Sequence, residues 1–315
     1  MNKLIVSSSP HIKTKNDTPR IMLDVIIALM PTLIAGVVLH GIRALLVVAT
    51  CVVSAVVAEF LFNLVTKREQ TIFDLSAIIT GLILGLSLHA NAPIWQCVIG
   101  SVFAIIVVKC LFGGLGSNFA NPAVTARVFL LLCFTNTLAG GAVAQIPDRP
   151  DTVTGATPLE IIKGNTGEAL PELIDMLLGK RDGAIGETCI IALVIGFIYL
   201  VVRKVIHFET PLIYAGSVFL LAFAVTGNIN MALYHLLGGG LVFAAVFMAT
   251  DYVTTPMTRV GKMIFALGCG LMTFLIRQYG AYPEGASFAI LFMNILSPYI
   301  DQWTKPRALG KGGNK

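Results

Sequence analysis

Thr157 opens the run Thr157-Pro158-Leu159-Glu160 and follows Asp151-Thr152-Val153-Thr154-Gly155-Ala156. Its hydroxyl is an oxygen that a transferase can esterify. Gly155 and Ala156 keep the approach slim, so a modifying enzyme can receive the segment as an extended peptide. Thr at an N-cap, Pro at the first helical position and Glu three residues on also make a capping box. A phosphoester on that hydroxyl would set an anion at a helix N-terminus, where free N–H groups and the dipole favour it. The capping box accounts for Thr157 to Glu160 but not for Asp151, Thr154, Gly155 and Ala156 in that order.

Two polar breaks interrupt apolar sequence elsewhere: Gly113-Gly114-Leu115-Gly116-Ser117-Asn118 before Asn121-Pro122, and Thr250-Asp251 before Thr255-Pro256. Each reads as an ordinary helix entry, with Asn or Thr as cap and Pro behind it. Each also has the makings of a pocket in which Asn118, Asn121 and Thr255 hold a ligand or line an ion route. Carboxylates within apolar runs are costly and are functional candidates by default. Glu59 and Asp251 stand out as candidates for an ion path. Asp24 follows Arg20 by four residues and reads as a local pair, while Asp301 and Glu284 read as reaching water. His40, His89, His207 and His235 are isolated and read as hydrogen-bonded structural residues.

Composition says what must position these groups. The 315 residues are 56% apolar and 12% charged, with a mean hydropathy of +0.83, which excludes an ordinary soluble domain. The net charge of +5 matters through its distribution, and no nucleic-acid partner is expected. The six cysteines are scattered through apolar runs without CxxC spacing, as expected of small buried hydrophobes. The polar, basic first twenty residues read as a retained cytoplasmic segment, not a cleaved signal.

A bilayer core needs about 20 apolar helical residues. That ruler yields ten spans, at about 21–39, 43–65, 74–90, 93–112, 122–139, 187–203, 211–226, 231–249, 261–278 and 285–303. With the N-terminus inside, 16 of the 22 basic residues fall on the inner side, Lys109 and Arg127 among them, and 6 on the outer side, Arg277 among them. The expected fold is therefore an all-α polytopic membrane protein of ten transmembrane helices, arranged as two inverted five-helix repeats with both termini cytoplasmic. Its divisions are a segment at 1–20, a repeat at 21–139, an outer loop at 140–186, a repeat at 187–303 and a tail at 304–315. Two short helices, Pro158–Lys163 and Pro171–Leu178, fit the outer loop. A faint echo relates Gly100-Ser101-Val102-Phe103-Ala104 to Gly240-Leu241-Val242-Phe243-Ala244, and Ala120-Asn121-Pro122-Ala123-Val124-Thr125-Ala126-Arg127 to Thr254-Thr255-Pro256-Met257-Thr258-Arg259. Both copies fall at inner-side breaks, where inverted copies should face opposite ways, so the repeat rests mainly on the count of spans. Inverted repeats with broken spans also describe solute transporters and channels, the alternative reading without a redox role.

The chain resembles the D subunits of Rnf complexes and, more distantly, the B subunit of the sodium-pumping NADH:quinone reductase. The resemblance rests on Ser9-Pro10-His11, Phe112-Gly113-Gly114-Leu115-Gly116-x-Asn118-x-x-Asn121-Pro122-Ala123, Asp151-x-x-Thr154-Gly155-Ala156-Thr157 and Tyr282-Pro283-Glu284-Gly285-x-x-Phe288-Ala289. It implies FMN joined through its phosphate to Thr157 by a separate flavin transferase, in a complex that passes electrons between ferredoxin and NAD. It also implies coupling to Na+ or H+ translocation, other Rnf subunits as partners, including a second flavin-bearing one, and a prokaryotic cytoplasmic (inner) membrane. A second, non-covalent flavin such as riboflavin is a further expectation for the pocket at Asn118, Asn121 and Thr255.

Overall fold

The computed structural model describes residues 17–135, 157–164, 170–179, 181, 183–280, 282 and 284–305. Among these residues all regular structure is helical. The first half holds α1 (Thr18–His40), α2 (Ile42–Val65), α3 (Ser76–Leu86), α4 (Ile94–Cys110) and α5 (Pro122–Cys133). Two short helices follow, α6 (Pro158–Ile162) and α7 (Leu173–Leu178). The second half holds α8 (Ile190–Val202), α9 (Glu209–Thr226), α10 (Ile229–Leu237), α11 (Leu241–Met248), α12 (Arg259–Tyr279) and α13 (Ala286–Thr304).

Among the described residues α1, α2, α9 and α12 are each long and apolar enough to cross a membrane. The run expected to be a span at 231–249 is instead the pair α10 and α11, bent by 60°. Hydropathy counts apolar residues but not backbone continuity. Gly239 adopts φ +60°, a left-handed conformation that costs glycine little, and the helix stops there. The third expected span shortens to the 11 residues of α3, and α5 ends at Cys133, while 136–139 of the fifth expected span lie outside the described residues. The two loop helices fall where expected, each a residue or two shorter than read from the sequence.

α3 lies so close to α2 that a Cβ on Gly81 would stand 2.6 Å from Val52 Cα, and one on Gly85 2.8 Å from Val48 Cα. The Gly81-x-x-x-Gly85 spacing is thus a backbone-contact face. α9 packs on α12, α12 on α13, and the leading helices of the two halves, α1 and α8, pack on each other. The sequence echo has a structural counterpart. At Phe103-Ala104 and again at Phe243-Ala244 an α-helix passes into a π-helical segment, ending at Cys110 and Met248, and a turn-rich break follows. Cys51, Cys97, Cys110 and Cys269 are buried and free, as expected, whereas Cys133 is exposed. Trp95, Tyr279, Tyr299 and Trp303 lie on the exterior of the bundle, where interfacial rings belong.

Candidate functional site

The capping box at Thr157 is formed. Thr157 Oγ accepts the Glu160 N–H at 3.4 Å, and Glu160 Oε2 accepts the Thr157 N–H at 2.9 Å. α6 has five residues, too few to build a large dipole, so its value is placement. Leu159 is 2% exposed, and its Cδ1 lies 2.8 Å from where a Cβ on Gly239 would sit. Lys163 Nζ donates to the carbonyls of Gly280 at 2.8 Å and Tyr282 at 2.6 Å. Burial, then the neighbouring Arg277, pushes the Lys163 ammonium below the usual lysine range. Leu159 and Lys163 thus fasten α6 across the α10–α11 bend and the α12–α13 turn. Thr157 is left half-buried at its head. Its Oγ serves the box as an acceptor, a role that leaves the hydroxyl hydrogen replaceable. On that ground the residue fits a phosphoester-linked group. Asp151, Thr154, Gly155 and Ala156 lie outside the described residues.

Beneath α6 is a charge cluster that the sequence does not announce. Arg127 donates from Nη1 to Glu187 Oε1 and from Nη2 to Glu284 Oε2, both at 2.6 Å. Arg127 therefore belongs to this buried cluster and not to an inner loop, and Glu284 is held by it instead of simply reaching water. Arg277, Arg127 and Lys109 are each at most 6% exposed, so they leave the tally of loop charges. Two leave the expected inner set and one the expected outer set. Arg277 donates to the carbonyls of His235 and Gly238, and Arg181 to those of Leu237 and Glu187. Both guanidinium groups thereby satisfy carbonyls where α10 ends, a position open to cations.

The two polar breaks meet toward the other end of α8, around an open cleft. Asn118, Asn121, Lys109, Thr250 and Asp251 line it, together with apolar residues of α1 and α3. The structure thus brings Asn118, Asn121 and Asp251 together. Thr255 instead lines an adjoining polar cleft with Lys204, His207 and Lys262. Asn121 caps α5 as expected, its Oδ1 accepting the N–H groups of Ala123 at 3.0 Å and Val124 at 3.3 Å. The second entry differs: α12 begins at Arg259 with Thr258 as the cap. Thr255 instead donates its hydroxyl to the Asp251 carbonyl. Asn294 of α13, 2% exposed, joins the two breaks. With its amide assigned from its neighbours, it donates to Thr254 O at 3.2 Å and accepts the Asn121 N–H at 3.1 Å. Asn118 Oδ1 is buried without a partner among the described residues, a free acceptor for a ligand.

Glu59 has a distant partner. Lys109 Nζ donates to its Oε1 at 2.7 Å and to Ser76 Oγ at 2.8 Å, and the Thr71 hydroxyl adds a bond of 2.6 Å to the same Oε1. Lys109 therefore links Glu59 to the cleft on which Asp251 stands. Asp251 accepts from Val253 N–H and the Thr254 hydroxyl. Asp24 is gripped by Arg203 and Tyr199 of the α8 end, a pairing that the local reading with Arg20 does not contain. Asp301 accepts the Met257 N–H at 2.9 Å.

The sequence profile of the NQR2, RnfD, RnfE family matches residues 5–310. This chain belongs to that family. Among its relatives, the D subunit of the Na(+)-translocating ferredoxin:NAD(+) oxidoreductase complex of Acetobacterium woodii is 44% identical, over 98% of this chain and 95% of the relative. The D subunit of the proton-translocating ferredoxin:NAD(+) oxidoreductase complex of Clostridium ljungdahlii is 40% identical, over 98% and 97%. The D subunit of the ion-translocating oxidoreductase complex of Stutzerimonas stutzeri is 35% identical, over 94% and 93%. The family match spans both polar breaks and the Thr157 segment, so both candidate sites lie within family sequence.

Proposed function

We propose that this chain is the D subunit of an Rnf-type ferredoxin:NAD oxidoreductase complex, carrying FMN on Thr157 by a phosphoester and coupling electron transfer to Na+ or H+ translocation. The observation that carries the reading is the placement of Thr157: a half-buried threonine heading a helix fastened to the bundle, within a segment that resembles a flavin-attachment site. The names of the relatives support the complex, its redox partners and the two candidate ions. A flavin, when bound, takes up and passes on electrons singly. The residues of this chain set its place: Glu160 holds the Thr157 backbone, while Leu159 and Lys163 fix α6 on the bundle. A flavin transferase and the remaining Rnf subunits are the partners that this reading requires.

In the same reading the cleft at Asn118, Asn121 and Asp251 takes a second, non-covalent flavin, its lining being mostly apolar with a few polar groups, as in small-molecule sites. Glu59 and Asp251 serve the ion route. The chain crosses the cytoplasmic membrane ten times as two inverted five-helix repeats, with the Thr157 loop outside and both termini inside. Labelling of single cysteines from either side of the membrane tests that arrangement, and inward-facing cysteines at 145–185 would contradict it. In-gel fluorescence of the denatured chain tests the attachment, because covalent flavin alone survives denaturation. A transporter without a redox role would leave the Thr157 segment unused.

A further inference from the structure

The carboxyl groups of Glu187 and Glu284 stand side by side on one guanidinium, the Nη1 and Nη2 of Arg127 donating to one each at 2.6 Å. Glu187 precedes α8 and is 1% exposed. Its Oε1 takes the Arg127 bond, while its Oε2 is buried with no partner among the described residues. Two ionised carboxylates side by side repel, and neither can donate to the other. An unpaired buried carboxylate oxygen is costly as well. One proton resolves both problems, because a carboxylic acid donates an O–H to the neighbouring carboxylate. The triad then holds one positive and one negative charge.

We propose that Glu187 and Glu284 form a proton-binding site in which the two carboxyls share one exchangeable proton. Glu284 is its route to water, since that side chain remains 25% exposed. The surrounding charges make the proton releasable. Arg127 from α5 touches both carboxyls, while Arg181 from the loop and Arg277 from α12 lie within electrostatic range of them. His89, from the turn after α3, is within electrostatic range of Glu284, Arg127 and Glu160. The latter two arginines are engaged with carbonyls at the α10 end, so they weaken the hold on the proton without replacing it. The site is independent of any group on Thr157, although α6 lies directly over it: Glu284 Oε1 and Leu159 Cδ1 are 3.2 and 2.8 Å from the same Cβ position on Gly239.

The test is infrared difference spectroscopy of the purified full chain in nanodiscs, titrated from acidic to alkaline buffer in H2O and in D2O. The parent protein should show a protonated-carboxyl C=O band that shifts in D2O and disappears as the pH rises. Glu187→Gln and Glu284→Gln should each remove that band, because the amide N–H replaces the shared O–H and the remaining carboxylate stays ionised against Arg127. Thr157→Ala should retain it, which separates this site from the flavin reading. A flat parent-minus-variant difference for either Gln variant overturns the proposal. So does a parent protein without a titrating band, a result that needs no variant to fold.

Discussion

Replacing Arg127 with methionine deletes the one cation that, among the described residues, directly contacts both Glu187 and Glu284, while keeping the length of the apolar stem. Arg127 is 6% exposed and Glu187 1%, so water cannot readily take over the lost bonds. Removing one partner of a buried, hydrogen-bonded ion pair costs about 3–5 kcal/mol, and two carboxyls lose their donor here, so the upper half of that range is expected. The variant has an escape: both carboxyls can be protonated. Their folded-state pKa then rises above the unfolded value, so the relief is complete at low pH and is lost as the pH rises through the folded pKa. Arg127→Met should therefore melt below the parent at neutral pH in the same detergent, and acidification should narrow the gap. A variant with the parent's melting temperature across that pH series would show that the cluster is solvated, contrary to its burial, and would refute the reasoning.

Gly81→Val should weaken the α2–α3 contact, since its first added carbon would stand 2.6 Å from Val52 Cα; overpacking of this kind costs about 1–3 kcal/mol, measurable as a lower melting temperature, and an unchanged one would contradict the contact. Glu59→Gln and Asp251→Asn should impair ferredoxin-driven ion uptake by reconstituted vesicles more than covalent flavin content. In the first variant Lys109 loses its buried counter-charge. Normal pumping in both would make these carboxylates structural.

The helical membrane class and the Thr157 capping box were legible because each is a local pattern: an apolar run and a four-residue cap. The bend at Gly238–Gly240 was hidden inside an apolar stretch of span length, where composition outweighs conformation. The charge partners were hidden for another reason. Arg127 meets Glu284 157 residues away and Lys109 meets Glu59 50 residues away, and no periodicity in the sequence marks such pairs. Arg127 therefore read as an inner-loop charge and Glu284 as a residue reaching water. Asn294 gave no sign of its role, since a lone amide within an apolar helix has no local partner to suggest one. The cleft was half legible: the two breaks announced polar backbone, but their meeting depends on how α5, α11 and α13 pack.

The measurement that bears most directly on the account is in-gel ultraviolet fluorescence, with mass analysis of the tryptic peptide spanning Thr157, on the chain purified from a host that supplies the flavin transferase. The account predicts a fluorescent denatured band and an FMN-sized mass addition on the Thr157 peptide, both lost in Thr157→Ala while membrane insertion persists. A Thr157→Ala chain that still fluoresces after denaturation, or a parent chain with an unmodified Thr157 peptide, would contradict it.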